Sequence, residues 1–269
     1  MADKTTDFFR LFPDERLSGK TDLRKAQLVM LRMLKIFDYL CRKNNIDYWV
    51  NFGTLLGAVR HEGFIPWDAD IDIGMTRESY NKFVEIGVPQ LPNDIFFQNS
   101  KTDPHYPAAN IIEAKLRDKY SNYVEWQEKN PKSKWHNGIQ LDIFIYDKWL
   151  SKTKSIFEIQ KKMIIRSLLF KKFLGFFYKL IKVKHYAVPE CIVFFNKDDL
   201  FPLKILEFEG VLVPAPKNYE KYLQKVFGNY MKLPPENERY PHEGKIDVFN
   251  PCNHKEILHW NKNASNSIL

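Results

Sequence analysis

Tyr48-Trp49-Val50-Asn51-Phe52-Gly53-Thr54-Leu55-Leu56-Gly57, followed by Phe64-Ile65-Pro66-Trp67-Asp68-Ala69-Asp70-Ile71-Asp72-Ile73-Gly74, is the stretch on which the reading of this chain turns. From Asp68 to Ile73 carboxylates alternate with Ala69, Ile71 and Ile73. In a strand, successive side chains point to opposite faces, so Asp68, Asp70 and Asp72 are expected to share one face with the apolar residues packed behind. Neighbouring ionised carboxylates raise one another's pKa unless a cation lies among them. Oxygen-only ligands suit a hard divalent ion, Mg²⁺ first with Mn²⁺ as a substitute, completed by water and substrate phosphate. The competing reading is an acidic edge strand whose charges block aggregation.

Upstream, Asp47 to Phe52 reads as a short aromatic and β-branched strand, broken by Gly53-Thr54, with a helical turn from Leu55 to Arg60. A glycine lets backbone amides approach a phosphate, and a neighbouring hydroxyl binds a phosphate oxygen or a metal-bound water. Fifteen residues separate Thr54 from Asp70, enough for the next strand to return alongside the first. A phosphate-cradling turn beside a metal-binding strand is what a nucleotidyl- or phosphoryl-transferase needs. In that arrangement Gly53, Thr54 and Arg60 steady phosphate oxygens.

Further along, Thr21 or Asp22 caps a long helix running to about Lys43, its apolar positions 23, 26, 30, 33, 34, 37, 40 and 41 on one face. Thr76 caps another through about Ile86, and Asp94 to Gln98 reads as a strand. Ile111 to Arg117 alternates, so Lys115 and Arg117 share a face that meets either phosphate or solvent. In Ile139 to Asp147, the strongest strand signal, Asp142 sits between Gln140 and Phe144, opposite Ile139, Leu141, Ile143 and Ile145. A lone acid in such a strand is either a buried group bonded to backbone or a third active-site carboxylate, as metal ligand or proton acceptor. Phe201 to Val213 reads as a hairpin around Glu209-Gly210, with a helix from about Asn218 to Phe227 and an irregular stretch from Met231 to Lys245.

The chain has 269 residues, 44% hydrophobic and 15% aromatic, enough for the core of one elaborated domain. Cys41, Cys191 and Cys252 lie far apart, which argues against a zinc ribbon or a disulfide framework and suits a reducing cytoplasm. The polar Met1 to Asp7 carries no signal-peptide pattern, so the Asn263-Ala264-Ser265 triplet is not expected to be glycosylated. Of the net charge of +8, residues 152–184 supply ten Lys or Arg against the single acid Glu158, leaving −1 for the remainder. That distribution argues against a nucleic-acid partner. No uncharged run in the basic segment approaches the ~20 residues that span a bilayer. It reads as amphipathic helices broken near Gly175, lying on an anionic membrane or packed on the core, with Lys161, Lys162, Lys171 and Lys172 as the membrane contacts. The tail from about Asn261 reads as disordered.

Gly53 to His61, Gly63 to Asp68, Asp70 to Met75, Leu141 to Phe144, Phe208-Glu209-Gly210, Val213-Pro214, Tyr222-Leu223, Phe227 to Met231, Leu233-Pro234-Pro235, Arg239 and His242 together resemble the signature of the LicD family. The likeness covers about Leu17 to Lys245. LicD proteins are phosphocholine transferases that use CDP-choline to decorate teichoic acids, capsules or lipopolysaccharide, and fukutin-related protein shares the motif with CDP-ribitol as donor. The resemblance implies an α/β nucleotidyltransferase-like domain, a mixed sheet flanked by helices, with the basic helical segment added. It implies Mg²⁺ held by Asp70 and Asp72, with Asp68 beside them and Asp142 as the further carboxylate. Ala69 stands where the family often carries another acid, on the opposite strand face, so no loss of metal is expected. The reaction implied is attack by a hydroxyl of a lipid-linked glycan or teichoic acid precursor on the distal phosphorus of a CDP-alcohol, releasing CMP near the inner membrane surface. Trp67, Tyr123, Trp126 and Trp135 are the aromatic faces available for a trimethylammonium group, though core or interface roles compete. Rival activities are transfer of the nucleotide itself, an Asp-x-Asp glycosyltransferase, and an inactive membrane-bound glycan-binding scaffold.

Overall fold

The computed structural model describes residues 7–106, 112–125, 134–149, 185–187, 194–239 and 243–252. Its frame is a mixed sheet with strand order β1-β2-β6-β4-β3, built from β1 (Trp49–Val50), β2 (Asp72–Thr76), β3 (Ile95–Gln98), β4 (Ala114–Asp118) and β6 (Gln140–Trp149). The pair β2·β6 is parallel, while β1·β2, β6·β4 and β4·β3 are antiparallel. Beyond the far end of β6 the sheet continues through β7 (His185–Ala187) and β8 (Phe194–Asn196). This mixed α/β sheet flanked by helices agrees with the expected nucleotidyltransferase-like class.

The longest helix, α2 (Asp22–Lys43), follows a four-residue α1 (Phe8–Leu11). Thr21 caps α2 by accepting the Arg24 N–H, Asp22 opposes the positive helix start, and Arg42 and Lys43 the negative end. The apolar stripe read from the sequence, including Ala26, Met30, Met33, Leu34, Phe37, Leu40 and Cys41, is buried. Thr76 caps α4 (Arg77–Lys82) as expected, but the helix then widens into a π turn over Phe83–Gly87 and tightens over Val88–Gln90. The hairpin of β9 (Lys204–Phe208) and β10 (Val211–Ala215) turns at Glu209 and Gly210, both at positive φ (52° and 73°), the pair a two-residue type I′ turn demands. The short α5 (Lys197–Leu200) precedes this hairpin, and α6 (Tyr219–Phe227) follows it, starting one residue after the position read from the sequence.

Three local expectations are corrected. The acidic strand begins at Asp72, not Asp68, because two-residue β1 pairs only with Ile73 and Gly74, and β6 starts its pairing at Asp72. Asp68 to Ile71 is therefore a connection, although Ala69 and Ile71 are still buried behind it. Gly53-Thr54 is not a turn ahead of a helix but part of the first turn of α3 (Phe52–His61), since extended Asn51 accepts the Leu55 N–H at 2.9 Å. The stretch read as irregular contains β11 (Glu243–Asp247), paired with β5 (Asn122–Glu125). Its Glu-Gly-Lys composition carries no strand signal. The basic segment 152–184 and the tail beyond 252 lie outside the described residues.

Candidate active site

Register places the acids. Asp72 opens β2 directly opposite Asp142 in the parallel β2·β6 pair, and Asp142 in turn faces Lys115 across the antiparallel β4·β6 pair. All three side chains are buried. Lys115 Nζ lies 3.2 Å from Asp142 Oδ1 and donates to Gln140 Oε1 at 2.7 Å. An acid in mid-sheet is thus met by a cation from the next strand, as a buried charge requires.

The start of α3 closes the other side. The Gly53 N–H donates to Asp72 Oδ2 at 3.2 Å, and Thr54 Oγ1 accepts the Asp72 N–H at 2.7 Å. The polar atoms expected to cradle phosphate are therefore already engaged with Asp72. Gly53 still marks the convergence point: a Cβ built there lies 3.0 Å from Asp68 Oδ2, 3.6 Å from Asp72 Oδ2 and 3.8 Å from Asp70 Oδ1. Asp68 and Asp70 are half-buried at the lip, and Asp72 forms the floor. Burial, then the negative charges of Asp142 and Asp68, push the Asp72 carboxyl well above the ordinary carboxylate range, against the pull of the Gly53 amide and Lys115.

Among the described residues, no group of three or more His, Cys, Asp or Glu side chains is arranged to hold a metal ion by itself. That does not conflict with Mg²⁺, which is commonly held through one or two carboxylates and completed by water and substrate phosphates. The donor set fits such an ion: hard oxygens only, converging on one spot, with Asp72 destabilised by like charge. Asp70 and Asp72 are the residues that would hold it.

Behind the site, Asn51 Oδ1 accepts the hydroxyls of Tyr146, at 3.0 Å, and of Tyr222. These three buried residues join β6 and α6 to the start of α3, a role not read from the sequence although Tyr222 was among the motif residues. Asn51 caps α3 without a side-chain cap bond, its Oδ1 being taken by two tyrosines far along the chain, a pairing that no local pattern signals.

The structure does not bring the remaining named residues to the carboxylates as a set. Arg60 sits at the C-terminal end of α3, seven residues and roughly 10 Å of helix axis from Gly53. Arg117 is fully buried, donating to Gln98 Oε1 at 2.8 Å and the Gly138 carbonyl at 2.9 Å, so it meets neither phosphate nor solvent. Glu209 is a clamp: it takes Arg24 through both oxygens, at 3.1 and 2.7 Å, and accepts the Phe64 N–H at 3.2 Å. Burial raises its pKa, but Arg24 and the Phe64 amide outweigh that and leave it below the ordinary value. Trp67 is half-buried beneath Arg239, Tyr123 is buried in β5, and Trp135 is half-buried. Trp126, His242, Lys161, Lys162, Lys171 and Lys172 lie outside the described residues.

Comparison with known proteins supplies the relatives. The lipopolysaccharide cholinephosphotransferase LicD of Haemophilus influenzae is 27% identical over 264 residues, covering 83% of this chain and 96% of that protein. An uncharacterized Rickettsia prowazekii protein, RP689, is 52% identical over 116 residues, 43% of this chain and 38% of its own. The human ribitol 5-phosphate transferase FKRP is 52% identical over 33 residues, 12% of this chain and 7% of that protein. The family model for the LicD/FKTN/FKRP nucleotidyltransferase domain matches residues 45–218, which hold Gly53, Asp68, Asp70, Asp72, Lys115 and Asp142 alike, and the chain belongs to that family.

Proposed function

We propose that this chain is a Mg²⁺-dependent phosphotransferase that moves phosphocholine, or a related phospho-alcohol, from a CDP-linked donor to a hydroxyl of a cell-surface glycan precursor. The observation that carries this reading is the convergence of Asp68, Asp70 and Asp72 on Gly53, with Asp142 in register beside Asp72. A relative of nearly the same length named as a lipopolysaccharide cholinephosphotransferase supports choline and a lipopolysaccharide-type acceptor. The ribitol phosphate transferases support the wider class of phospho-alcohols.

A divalent cation, when bound, would supply neutralisation of the diphosphate and polarisation of its oxygens. Asp70 and Asp72 would hold it, and the Gly53 N–H holds Asp72 in position. Asp142, kept near Lys115, takes the proton of the acceptor hydroxyl as its oxygen bonds to the distal phosphorus. The bond from that phosphorus to the bridging oxygen breaks, CMP leaves with the electron pair, and a phosphodiester remains. Lys115 offsets the charge on Asp142 before the proton moves. Among the described residues no helix is long and apolar enough to cross a membrane. The basic segment 152–184 supplies peripheral attachment to the anionic cytoplasmic face, where lipid-linked acceptors are built.

The test is a release assay across CDP-choline, CDP-ribitol, CDP-glycerol and CDP-ethanolamine with Mg²⁺ and a lipopolysaccharide or teichoic acid precursor. CMP release with transfer of the phospho-alcohol is expected. Release of the phospho-alcohol with the nucleotide left on the acceptor would assign nucleotidyl transfer instead. No release from any donor would refute the proposal.

A further inference from the structure

At the end of α3 away from Gly53 lies a cluster that the transfer chemistry leaves unused. Arg60 donates through Nη1 to the Tyr230 carbonyl at 2.9 Å and through Nε to His61 Nδ1 at 3.4 Å. Arg239 donates to the Pro234 carbonyl at 2.7 Å, and its guanidinium lies 5.8 Å from the centre of the Trp67 ring. His61 meets the same ring edge-on at 6.2 Å. All five residues Arg60, His61, Trp67, Tyr230 and Arg239 are half-buried.

Among the described residues the cluster has no acid: Arg16, Arg24, Arg32, Arg42 and Arg77 each form a salt bridge, whereas half-buried Arg60 and Arg239, like the exposed Arg10, form none. Burial, then the charge of Arg239, lowers the Arg60 pKa, and burial, then Arg60, lowers that of His61. The negative end of α3 accounts for a cation at Arg60 or His61. It does not account for Arg239, which follows the turn Glu236–Glu238 and whose positive charge bears on Arg60.

We propose that Arg60 and Arg239, with Trp67 behind them, form an oxyanion subsite for a substrate phosphate group, distinct from the carboxylate cluster. Guanidinium forks match phosphate oxygens in pairs, and an oxyanion between them removes their mutual repulsion. Trp67 immediately precedes Asp68, so the subsite borders the reacting centre. The same arrangement argues against Trp67 as the seat of a trimethylammonium group, since its ring already faces Arg239 beside Arg60. The subsite rests on the phosphotransferase reading, and two sources supply its ligand: a phosphate of the CDP-linked donor or one carried by the acceptor.

The experiment is calorimetric titration of the full chain with inorganic phosphate and pyrophosphate in EDTA at low salt, where no cation bridges the anion to the carboxylates. Wild type is expected to bind, and Arg60→Gln and Arg239→Gln to weaken binding at least about tenfold. Arg239→Lys keeps the charge but loses the fork, so it weakens binding by a smaller factor and remains the readout if the Gln variants unfold. No binding to wild type, or unchanged binding in folded Gln variants, would overturn the subsite. A second titration uses CDP-choline with Mg²⁺. A matching loss in the Arg variants assigns the subsite to the donor, and unchanged donor affinity assigns it to the acceptor. If CDP-choline binds no variant while phosphate binding behaves as expected, the subsite stands and the donor assignment fails.

Discussion

A single methyl group at Gly53 is expected to separate catalysis from folding in this protein. Gly53 occupies the first turn of α3 and is not among the glycines at positive φ, so alanine is compatible with its backbone. Alanine in a helix is favoured over glycine by up to roughly 1 kcal/mol, less in the first turn than in the interior. Against that stands one close approach, 3.0 Å to Asp68 Oδ2, at the end of a half-buried side chain whose Oδ1 accepts the Ala69 N–H, so the carboxylate must give by a few tenths of an ångström. The contacts at 3.6 and 3.8 Å to Asp72 and Asp70 are ordinary. Gly53→Ala is therefore expected to melt within about 2 °C of wild type. Function is another matter, because the methyl lands among the three carboxylates where, on the proposed mechanism, cation and phosphate meet. A misplacement of about 1 Å costs roughly 10²-fold, so kcat/KM should fall by at least about that factor. Thermal melting in EDTA and the CMP-release assay, on one preparation, give both numbers. Turnover within about threefold of wild type would refute the placement of the reacting centre at Gly53, and a melting loss beyond about 5 °C would refute the steric argument.

Asp72→Asn reports on stability through pH: the folded carboxyl is raised above its ordinary 3.8, so its stabilising contribution is complete below that value and is lost as pH rises towards the folded value. In EDTA at pH 7 the variant should melt above wild type, with the gap narrowing as pH falls towards about 4; a gap that persists contradicts the assignment. Lys115→Met leaves the buried Asp142 without its ion pair and should cost about 3–5 kcal/mol in urea denaturation, most of it recovered in the double variant Lys115→Met/Asp142→Asn. Asp142→Asn should cut kcat by roughly 10²–10⁴ if it accepts the proton, with the Mg²⁺ dependence unchanged, whereas a ligand role moves the Mg²⁺ midpoint instead. Binding to anionic vesicles should be lost at high salt and in the fourfold Gln variant of Lys161, Lys162, Lys171 and Lys172; flotation indifferent to both removes the membrane proposal.

Periodicity alone made most of the frame legible. The stripe of α2, the alternation of β6 and the Glu209-Gly210 turn each follow from local rules, and their bounds came within a few residues. Strand pairing was not local. No pattern in residues 114–118 tells that Lys115 faces Asp142, because register depends on which strands are neighbours in the sheet. The same reason hid Arg117: its alternation with Leu116 suggested a polar face, but the sheet is covered on both sides, and a hidden guanidinium needs the distant partners Gln98 and Gly138. Among the acids, Asp68 and Asp70 were grouped with Asp72 by spacing in a strand, yet it is Gly53 that gathers them outside any strand.

The parallel pairing of β2 with β6 has a consequence for how the chain folds. Gly53 and Asp72 are 19 residues apart, so the first three acids gather over a short loop. Asp142 joins them only when a span of 70 residues closes between the two partner strands. Closing such a loop costs about 4 kcal/mol of chain entropy beyond a constant, so this contact is paced by topology rather than by local preference. Lys115 waits on the neighbouring strand, β4, so the fourth negative charge meets its counter-charge in register as β6 pairs. A nascent chain ending before residue 139 holds the acids around Gly53 and lacks the strand that faces Asp72. On the proposed mechanism the reacting centre is thereby tied to completion of the sheet, and a half-made protein would have acidity without activity.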